Sequence, residues 1–261
     1  MRTLSFVIPV YNEEKRLKLT IDALKGATIP HGLKLEEIIF VDDGSKDDTV
    51  KTIKAAKASI ARKLKAKVHI IAYPRNKGKG YAVRAGMLST TTDYALFFDA
   101  DMSTPLSELR KFAEPMRHGV DVVIGTRKNG KSTVIIHQPL YRELLGKCFT
   151  LLSQIVLNTW VTDFTCGFKV FSKQAIEDVF GHATINRWGY DAEIVFLAKK
   201  IGYKIIQIPV VWSNDPRTKV KIYDAVFQTL KELYEIRMND FNGVYDEEFK
   251  TRVHRISSAR A

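Results

Sequence analysis

Residues 94–101 read YALFFDAD, five apolar residues followed by two aspartates one residue apart. A short, continuous apolar run of this kind predicts a strand that is buried on both faces. Because side chains alternate in direction along an extended chain, Asp99 and Asp101 should point to the same side, close enough to hold one hard divalent cation. A polar strand end followed by a turn is the commoner explanation of an isolated pair of aspartates. The neighbouring motifs must therefore distinguish a cation site from a simple strand end.

Length, charge and cysteine content set the broad class of protein. The 261 residues are 45% hydrophobic, enough to bury one large core or two small ones. A net charge of +12 suits an anionic partner, which could be nucleic acid, an acidic membrane face or a phosphorylated substrate. The two cysteines, Cys148 and Cys166, have no metal-binding spacing and indicate a reducing compartment. We expect a cytoplasmic protein without a signal peptide or a membrane-spanning segment.

Strand patterns alternate with helix patterns along the first half of the chain. The predicted strands cover 4–10, 37–41, 68–73, 94–99 and 120–125, and the predicted helices cover 13–25, 47–66, 80–88 and 107–116. This βαβ alternation predicts the α/β class, with a mostly parallel central sheet flanked by helices. In such sheets ligands collect at the carboxyl ends of the strands.

Acidic or glycine-rich segments follow five of the strand patterns, at 9–13, 41–45, 74–80, 99–101 and 125–127. Helix capping and turn formation explain each segment taken alone. Together they predict one rim that carries several acids, which favours a ligand site.

Four of these segments, PVYNE at 9–13, DDGS at 42–45, NKGKG at 76–80 and DAD at 99–101, resemble the ordered motif set of family 2 glycosyltransferases with the GT-A fold. In the second half, TDFTCGFKVF at 162–171, RWGYDAE at 187–193, VW at 211–212 and TKV at 218–220 are similar to dolichyl-phosphate β-glucosyltransferases and, less closely, to dolichyl-phosphate mannose synthases. The resemblance covers about residues 3–235 and implies an inverting, metal-dependent hexosyltransferase.

The resemblance implies a donor site for a nucleoside diphosphate sugar, UDP-glucose or GDP-mannose. Mg²⁺ or Mn²⁺ on Asp99 and Asp101, together with the cation Lys219, would stabilise the departing nucleotide. Ser103 departs from the mannose-synthase pattern, which has an amide there, and leaves a third protein ligand in doubt. The donor-binding residues implied are Pro9, Tyr11, Glu13, Asp42, Asp43, Lys77, Gly78, Asp99, Ala100, Asp101 and Lys219.

The acceptor implied by the resemblance is a polyprenyl or dolichyl phosphate, oriented by Arg127 and Arg142. Such a phosphate supplies its own anionic nucleophile, because the second pKa of a phosphate monoester is about 6. For Arg142 the alternative is a side chain that snorkels from an amphipathic helix. Asp191 and Glu193 lie where many family 2 enzymes carry a base, and the alternative for them is an N-cap of the helix that follows.

Three other functions compete with this interpretation. A family 2 enzyme acting on a sugar or polysaccharide acceptor would need Asp191 or Glu193 as a base. Residues 125–132, GTRKNGKS, match the P-loop pattern of NTPases, but the β-branched residues 133–136 and Pro139 argue against the helix that should follow. A basic nucleic-acid-binding protein is the third, and we expect no nucleic-acid partner.

Two apolar stripes remain outside these motifs. The first, over 144–156, fits a helix buried in the fold or in a homodimer, which we favour, or a helix lying on a membrane surface. The second, formed by Val226, Phe227, Leu230, Leu233 and Tyr234, predicts a core-packed helix over 222–241. We expect a catalytic domain over 1–220, a C-terminal helix and basic tail over 221–261, and peripheral association with the cytosolic face of a membrane.

Overall fold

The computed structural model describes residues 1–128, 130–215 and 222–246. Every predicted strand and helix is confirmed, with ends that shift by a few residues. The strands are β1 (Arg2–Val10), β2 (Leu33–Asp42), β3 (Lys67–Ala72), β4 (Tyr94–Phe98), β5 (Val122–Thr126), β6 (Thr133–Ile136), β7 (Phe168–Ser172), β8 (Ile205–Pro209) and β9 (Val211–Ser213).

Helices cover both faces of the sheet. The described helices are α1 (Glu14–Gly26), α2 (Thr49–Leu64), α3 (Lys79–Leu88), α4 (Leu109–Arg117), α5 (Leu140–Leu157), α6 (Lys173–Phe180), α7 (Tyr190–Ile201) and α8 (Ile222–Phe241). A single 3-10 turn over Leu106–Glu108 precedes α4. The alternation of strands and helices gives an α/β fold, as the sequence predicts.

Seven strands form the main sheet in the order β3-β2-β1-β4-β7-β5-β8 within the described residues. The pairs β1–β2, β1–β4, β2–β3 and β5–β8 are parallel, which confirms the mostly parallel sheet. The strand β7 runs antiparallel to both of its neighbours, β4 and β5. Residues 168–172 carry no signal that distinguishes an inserted antiparallel strand from any other buried strand.

Two hydrophobic layers hold the sheet, because successive residues of a strand face opposite sides. On one face Val7, Ile39 and Phe97 pack with α3, α6 and α7. On the other face Phe6 and Phe40 pack with α1, α2 and α4. The apolar run that precedes Asp99 is therefore buried on both faces, as its composition predicts.

The structure confirms that the P-loop alternative for residues 125–132 is wrong, as the residues that follow the motif predict. A P-loop leads from a strand directly into a helix whose first N–H groups hold phosphate. Here β5 is followed by a loop and then by β6, a short strand that pairs with β9. The β-branched residues of β6 favour extended chain, which explains the difference.

Burial of the first apolar stripe within the fold is also wrong. Leu144 and Ile155 on α5 keep 63% and 62% of their surface exposed. Only one side of α5 packs inward, through Phe149, Val156 and Leu157. The remaining apolar side chains, which we name the α5 face, are Leu140, Tyr141, Leu144, Leu145, Leu151, Leu152 and Ile155.

The predicted stripe of α8 is only partly correct. Leu233 is buried, but Phe227 is 75% exposed and Tyr234 is 67% exposed. Ile236, which the predicted stripe omits, is fully buried in the core. The helix therefore packs through the turn that holds Leu233 and Ile236, and its contacts are with α5 and α7. Among the described residues, none of the helices combines the length and apolar character needed to cross a bilayer.

Gly86 lies where α3 packs closely against the sheet. A Cβ at this position would lie 2.5 Å from Cγ1 of Val7 and 2.7 Å from Cγ2 of Val41. Overpacking of this kind costs about 1–3 kcal/mol, so Gly86→Ala should lower the free energy of unfolding by that amount in urea titration. Gly26→Ala is the control, because a Cβ there meets no described atom within 4 Å. Equal stability of the two variants would contradict the packing described.

Candidate active site

The carboxyl ends of β1, β2, β3, β4 and β5 open onto one edge of the sheet, because these strands run in the same direction. The antiparallel strand β7 begins at this same edge, where Phe168 pairs with Phe98. Gly167 therefore lies beside Asp99, and its carbonyl accepts a hydrogen bond from the Asp99 backbone N–H at 3.3 Å. The edge collects the polar residues that follow five strands.

Asp99 forms an ion pair with Lys79, whose Nζ lies 2.7 Å from Oδ1. The carboxylate is 30% exposed, so it faces the rim and not the interior. Burial acts to lower the pKa of Lys79, but the charges of Asp99 and Asp191 outweigh it and the pKa is raised. The ammonium is therefore held as a cation directly at the aspartate pair.

Asp101 is half-buried, like Asp99, and its Oδ1 accepts a hydrogen bond from the Ser103 backbone N–H at 2.9 Å. Burial, followed by the charge of Asp99, raises the pKa of Asp101. A bound cation would offset both effects, so the pair suits a hard divalent ion. The described residues contain no group of three His, Cys, Asp or Glu side chains that could hold a metal. Within the described part of the chain, the carboxylates of Asp99 and Asp101 would be the protein ligands of such an ion, and substrate or water would supply others.

Asp43 clamps the loop that contains Lys77 and Gly78. Its carboxylate accepts hydrogen bonds from the backbone N–H groups of Lys77 and Gly78 at 2.7 and 2.9 Å, and from Asn76 Nδ2 at 2.7 Å. Burial raises the pKa of Asp43 despite these bonds. The Lys77 ammonium lies against the rings of Tyr73 and Tyr81. Asp43 therefore shapes the predicted donor loop from below.

The loops after β1 and β2 are tied to each other. The Asn12 backbone N–H donates to Ser45 Oγ at 2.8 Å, and the Glu13 backbone N–H donates to Thr49 Oγ1 at 2.8 Å. Asp42 is buried, and its Oδ1 has no hydrogen-bond partner among the described residues. Its other oxygen accepts from the Ser45 backbone N–H at 3.1 Å.

The remaining donor-side residues have different positions. Pro9 is buried in β1 and Tyr11 is exposed, whereas Glu13 pairs with Arg16 and Ala100 is buried. Lys219 lies outside the described residues.

Arg127 is held by a buried carboxylate. Its Nε and Nη2 donate to the two oxygens of Asp163 at 2.7 and 2.9 Å, and Nη2 also donates to Thr165 Oγ1 at 2.8 Å. Burial acts to raise the pKa of Asp163, but the Arg127 charge outweighs it and lowers the pKa well below its usual range. The guanidinium lies 5.2 Å from the ring of Trp212. Its orientation is fixed, while 17% of the side chain stays exposed.

Arg142 lies in the first turn of α5, and its Nε is buried without a hydrogen-bond partner among the described residues. The helix is joined to the end of β5 through Lys128, whose Nζ donates to the Gly146 carbonyl at 2.8 Å and to Thr150 Oγ1 at 2.7 Å. The structure thus brings the predicted acceptor residue Arg127 close to α5, the helix that carries Arg142.

Asp191 and Glu193 point to different places, because α7 begins at Tyr190 and places both in its first turn. Asp191 pairs with the fully buried Lys169, which also donates to the Cys166 carbonyl at 2.8 Å. Gly189, and neither of the two acids, occupies the N-cap position. The arrangement places the Asp191 carboxylate in a buried ion pair.

Glu193 is fully buried and holds the loop before α7. It accepts hydrogen bonds from the backbone N–H groups of Thr184 and Ile185 at 2.8 and 2.9 Å, and from Tyr245 Oη at 2.8 Å. Burial raises the pKa of Glu193 in spite of these donors. The loop in turn contacts the first turn of α3, because the Asn186 carbonyl accepts from the Tyr81 backbone N–H at 3.0 Å. Glu193 thus lies in the framework behind the rim.

Sequence reasoning missed three charged residues of the site: Lys79 at the rim, and Asp163 and Lys169, which are buried below it. All three lie inside motifs that it used, but a motif does not show which side chains form pairs. Lys79 is the second lysine of NKGKG, and the first, Lys77, carries the prediction. Asp163 and Lys169 flank FTCGF at 164–168, a mixed polar and apolar segment that is compatible with many pairings.

A GT-A-like sheet with an aspartate pair at the carboxyl end of its fourth strand defines the class of nucleotide-sugar transferases. Residues 5–180 match the sequence model of Glycosyl transferase family 2, and the chain belongs to this family. It is therefore an enzyme, a glycosyltransferase.

Curated relatives extend the match over most of the chain. A dolichyl-phosphate beta-glucosyltransferase of Dictyostelium discoideum is 29% identical, over 93% of this chain and 76% of the relative. The protein of the same name from Saccharomyces cerevisiae is 32% identical, over 95% of this chain and 78% of the relative. The fold is similar to Mycobacterium tuberculosis glucosyl-3-phosphoglycerate synthase in complex with Mn²⁺, UDP-glucose and phosphoglyceric acid. The TM-score is 0.65 at 19% identity, over 90% of this chain and 80% of that one.

Gly167→Ala tests the position of the Asp99 carboxylate. A Cβ at residue 167 would lie 2.2 Å from Asp99 Oδ2, so the carboxylate has to move. Displacing the carboxylate should weaken its charge-assisted contact with a bound ion, and such a contact contributes more than about 1 kcal/mol. We therefore expect the affinity for Mn²⁺, measured by the EPR signal of the free ion, to fall about tenfold. Gly26→Ala should bind Mn²⁺ like the unmodified protein. Unchanged affinity in Gly167→Ala would contradict the position given to Asp99.

Proposed function

We propose that this enzyme transfers glucose from UDP-glucose to a polyprenyl or dolichyl phosphate with inversion at the anomeric carbon. The observation that carries the proposal is the placement of Asp99 and Asp101 on the same rim as Arg127, which lies next to a helix with an exposed apolar face. A nucleotide-sugar site beside a site for a lipid phosphate accounts for all three features. The names of the curated relatives favour glucose over mannose.

The donor half of the proposal rests on the aspartate pair. Mg²⁺ or Mn²⁺ held by Asp99 and Asp101 would supply positive charge to the leaving diphosphate. The rim residues Pro9, Tyr11, Glu13 and Ala100 would border the nucleotide. Asp42, Asp43, Lys77, Gly78 and Lys219 complete the proposed donor set, with Asp43 acting through the loop that it clamps.

The acceptor half rests on Arg127 and Arg142. Nε and Nη2 of Arg127 are bonded to Asp163 and Thr165, so Nη1 is the nitrogen that would contact the phosphate from a rigidly held guanidinium. The acceptor phosphate oxygen forms a bond to C1 as the bond from C1 to the β-phosphate oxygen breaks, and that electron pair leaves with the diphosphate. The phosphate dianion needs no general base.

The positions of Asp191 and Glu193 bear on the alternative acceptor. A sugar hydroxyl has to lose its proton, which requires a base within hydrogen-bond reach. Asp191 pairs with Lys169, and Glu193 binds backbone N–H groups behind the rim. These contacts support the phosphate acceptor over a sugar or polysaccharide acceptor.

We propose that the protein associates peripherally with the cytosolic face of a membrane through the α5 face. Ile135 and Ile136 on β6 are also exposed, and β6 pairs with β9, the strand that carries Trp212 beside Arg127. Apolar side chains thus lie on elements that adjoin the proposed acceptor site. The net charge of +12 adds attraction to an anionic leaflet. In this proposal residues 1–220 carry the chemistry, and residues 221–261 add α8 and the basic tail.

Asp101→Asn tests the proposed chemistry. Loss of one of the two carboxylate ligands should lower the rate of glucose transfer from UDP-glucose to dolichyl phosphate on the order of 10²-fold. The measurement is the formation of radiolabelled lipid with Mg²⁺ or Mn²⁺, and Asp22→Asn on the exposed side of α1 is the control. If the unmodified enzyme forms no lipid product with UDP-glucose or GDP-mannose, the acceptor proposal is wrong.

The triple variant Leu144→Asp, Leu151→Asp, Ile155→Asp tests membrane association. The charges prevent these exposed side chains from entering lipid, so co-sedimentation with phosphatidylserine vesicles should weaken about tenfold or more. The matched control is Leu19→Asp, Leu88→Asp, Val244→Asp, which adds the same three charges at exposed aliphatic residues outside the α5 face. Unchanged vesicle binding, together with a shift from dimer to monomer in light scattering, would show that the α5 face is a dimer interface instead.

A further inference from the structure

Lys79 differs from Lys169 and Arg127 in how far its charged group is already bonded to the protein. Lys169 is fully buried and bonded to both Asp191 and a backbone carbonyl. Arg127 is bonded to Asp163 and Thr165. Lys79 contacts the metal-site carboxylate of Asp99, and 27% of its side chain stays exposed at the rim. Its ammonium can therefore reach an anion that enters the site.

The surroundings of Lys79 fix its direction. The residue is the first of α3 and follows Gly78, whose loop is clamped by Asp43. Its Nζ lies 5.9 Å from the centre of the Tyr190 ring. The Asp99 carboxylate cannot move toward Gly167, because its Oδ2 already packs against the Cα of that residue. The ammonium and the carboxylate thus form one preorganised pair.

A divalent cation held by Asp99 would share this carboxylate with the Lys79 ammonium. Repulsion between the two positive charges would move the ammonium off Asp99 as the carboxylate takes up the ion. The diphosphate of a nucleotide is the anion that arrives together with the ion, and it presents phosphate oxygens at the metal site. The displaced ammonium then has a partner of opposite charge within reach.

We propose that Lys79 is a diphosphate-binding residue that pairs with Asp99 in the free enzyme and with the donor's β-phosphate in the complex. This inference rests on the proposed function for its diphosphate donor and for its effect on turnover. During transfer the bond between C1 and the β-phosphate oxygen breaks, and the electron pair stays on that phosphate. The Lys79 ammonium stabilises the added negative charge without giving up a proton.

The proposal predicts that replacing Lys79 strengthens the binding of Mn²⁺ and weakens the binding of UDP. In Lys79→Met, Asp99 has no resident cation to release, so Mn²⁺ should bind about threefold to tenfold more tightly. At saturating Mn²⁺, UDP should bind about tenfold more weakly, because a charge-assisted hydrogen bond to the β-phosphate is lost. UMP has no β-phosphate, and its affinity should stay unchanged. A purely structural role for Lys79 would weaken all three.

The experiment measures Mn²⁺ binding by EPR and UDP and UMP binding by calorimetry on the full chain. Lys79→Gln is the second variant, which keeps a polar group near Asp99 if Lys79→Met does not fold. Lys51→Met on α2 is the control, since that side chain is 80% exposed. The proposal is overturned if UDP and UMP weaken equally, or if Mn²⁺ binds less tightly in both variants.

Failure of this proposal is distinguishable from failure of the proposed function. If the unmodified enzyme does not bind UDP, both are wrong. If it binds UDP but forms no lipid product, the proposed acceptor is wrong, and the UDP and UMP comparison still decides the role of Lys79. If it forms lipid product and Lys79→Met binds UDP as tightly as the unmodified enzyme, only the role of Lys79 is wrong.

Discussion

The contact between the Asp99 carboxylate and Gly167 constrains the whole rim. The strand β7 enters the sheet antiparallel between β4 and β5, so the residue before it lies where β4 ends. Only a residue without a side chain leaves room there, since a Cβ would lie 2.2 Å from the carboxylate oxygen. The same strand carries Lys169 inward to Asp191. The antiparallel insertion of β7 therefore fixes the direction of the aspartate pair, and it places Lys169 where it neutralises Asp191.

Charge compensation below the rim explains why so many ionisable groups can be buried. Asp163 is paired with Arg127, Asp191 with Lys169, and Glu193 with backbone N–H groups and a phenol. Removing one partner of such a pair leaves an uncompensated buried charge, at a cost of about 3–5 kcal/mol. The groups that face the rim, Asp99 and Lys79, are the ones left partly exposed. The interior is thus a fixed electrostatic frame, and ligand chemistry is confined to its edge.

The apolar surface of α5 follows from the same arrangement. Lys128, next to Arg127, binds α5 through Gly146 and Thr150 and so holds one side of the helix to the sheet. The opposite side is left outside the core, although its residues are as apolar as those within. Large exposed apolar patches on a folded chain mark a surface that meets a partner. A lipid acceptor gives this surface a use beside the proposed phosphate site.

The sequence by itself determined the alternation of strands and helices, the mostly parallel sheet and the acidic segments at the strand ends, because periodicity and turn chemistry are local properties. It also placed Asp99 and Asp101 correctly at the end of a buried strand. Only the tertiary structure decided that β7 runs antiparallel, since an apolar run of five residues does not encode its direction. It also decided which lysine meets Asp99, that Asp191 pairs with Lys169, and that one face of α5 stays exposed. Pairing and exposure depend on which distant segments meet, and a single sequence does not record that meeting.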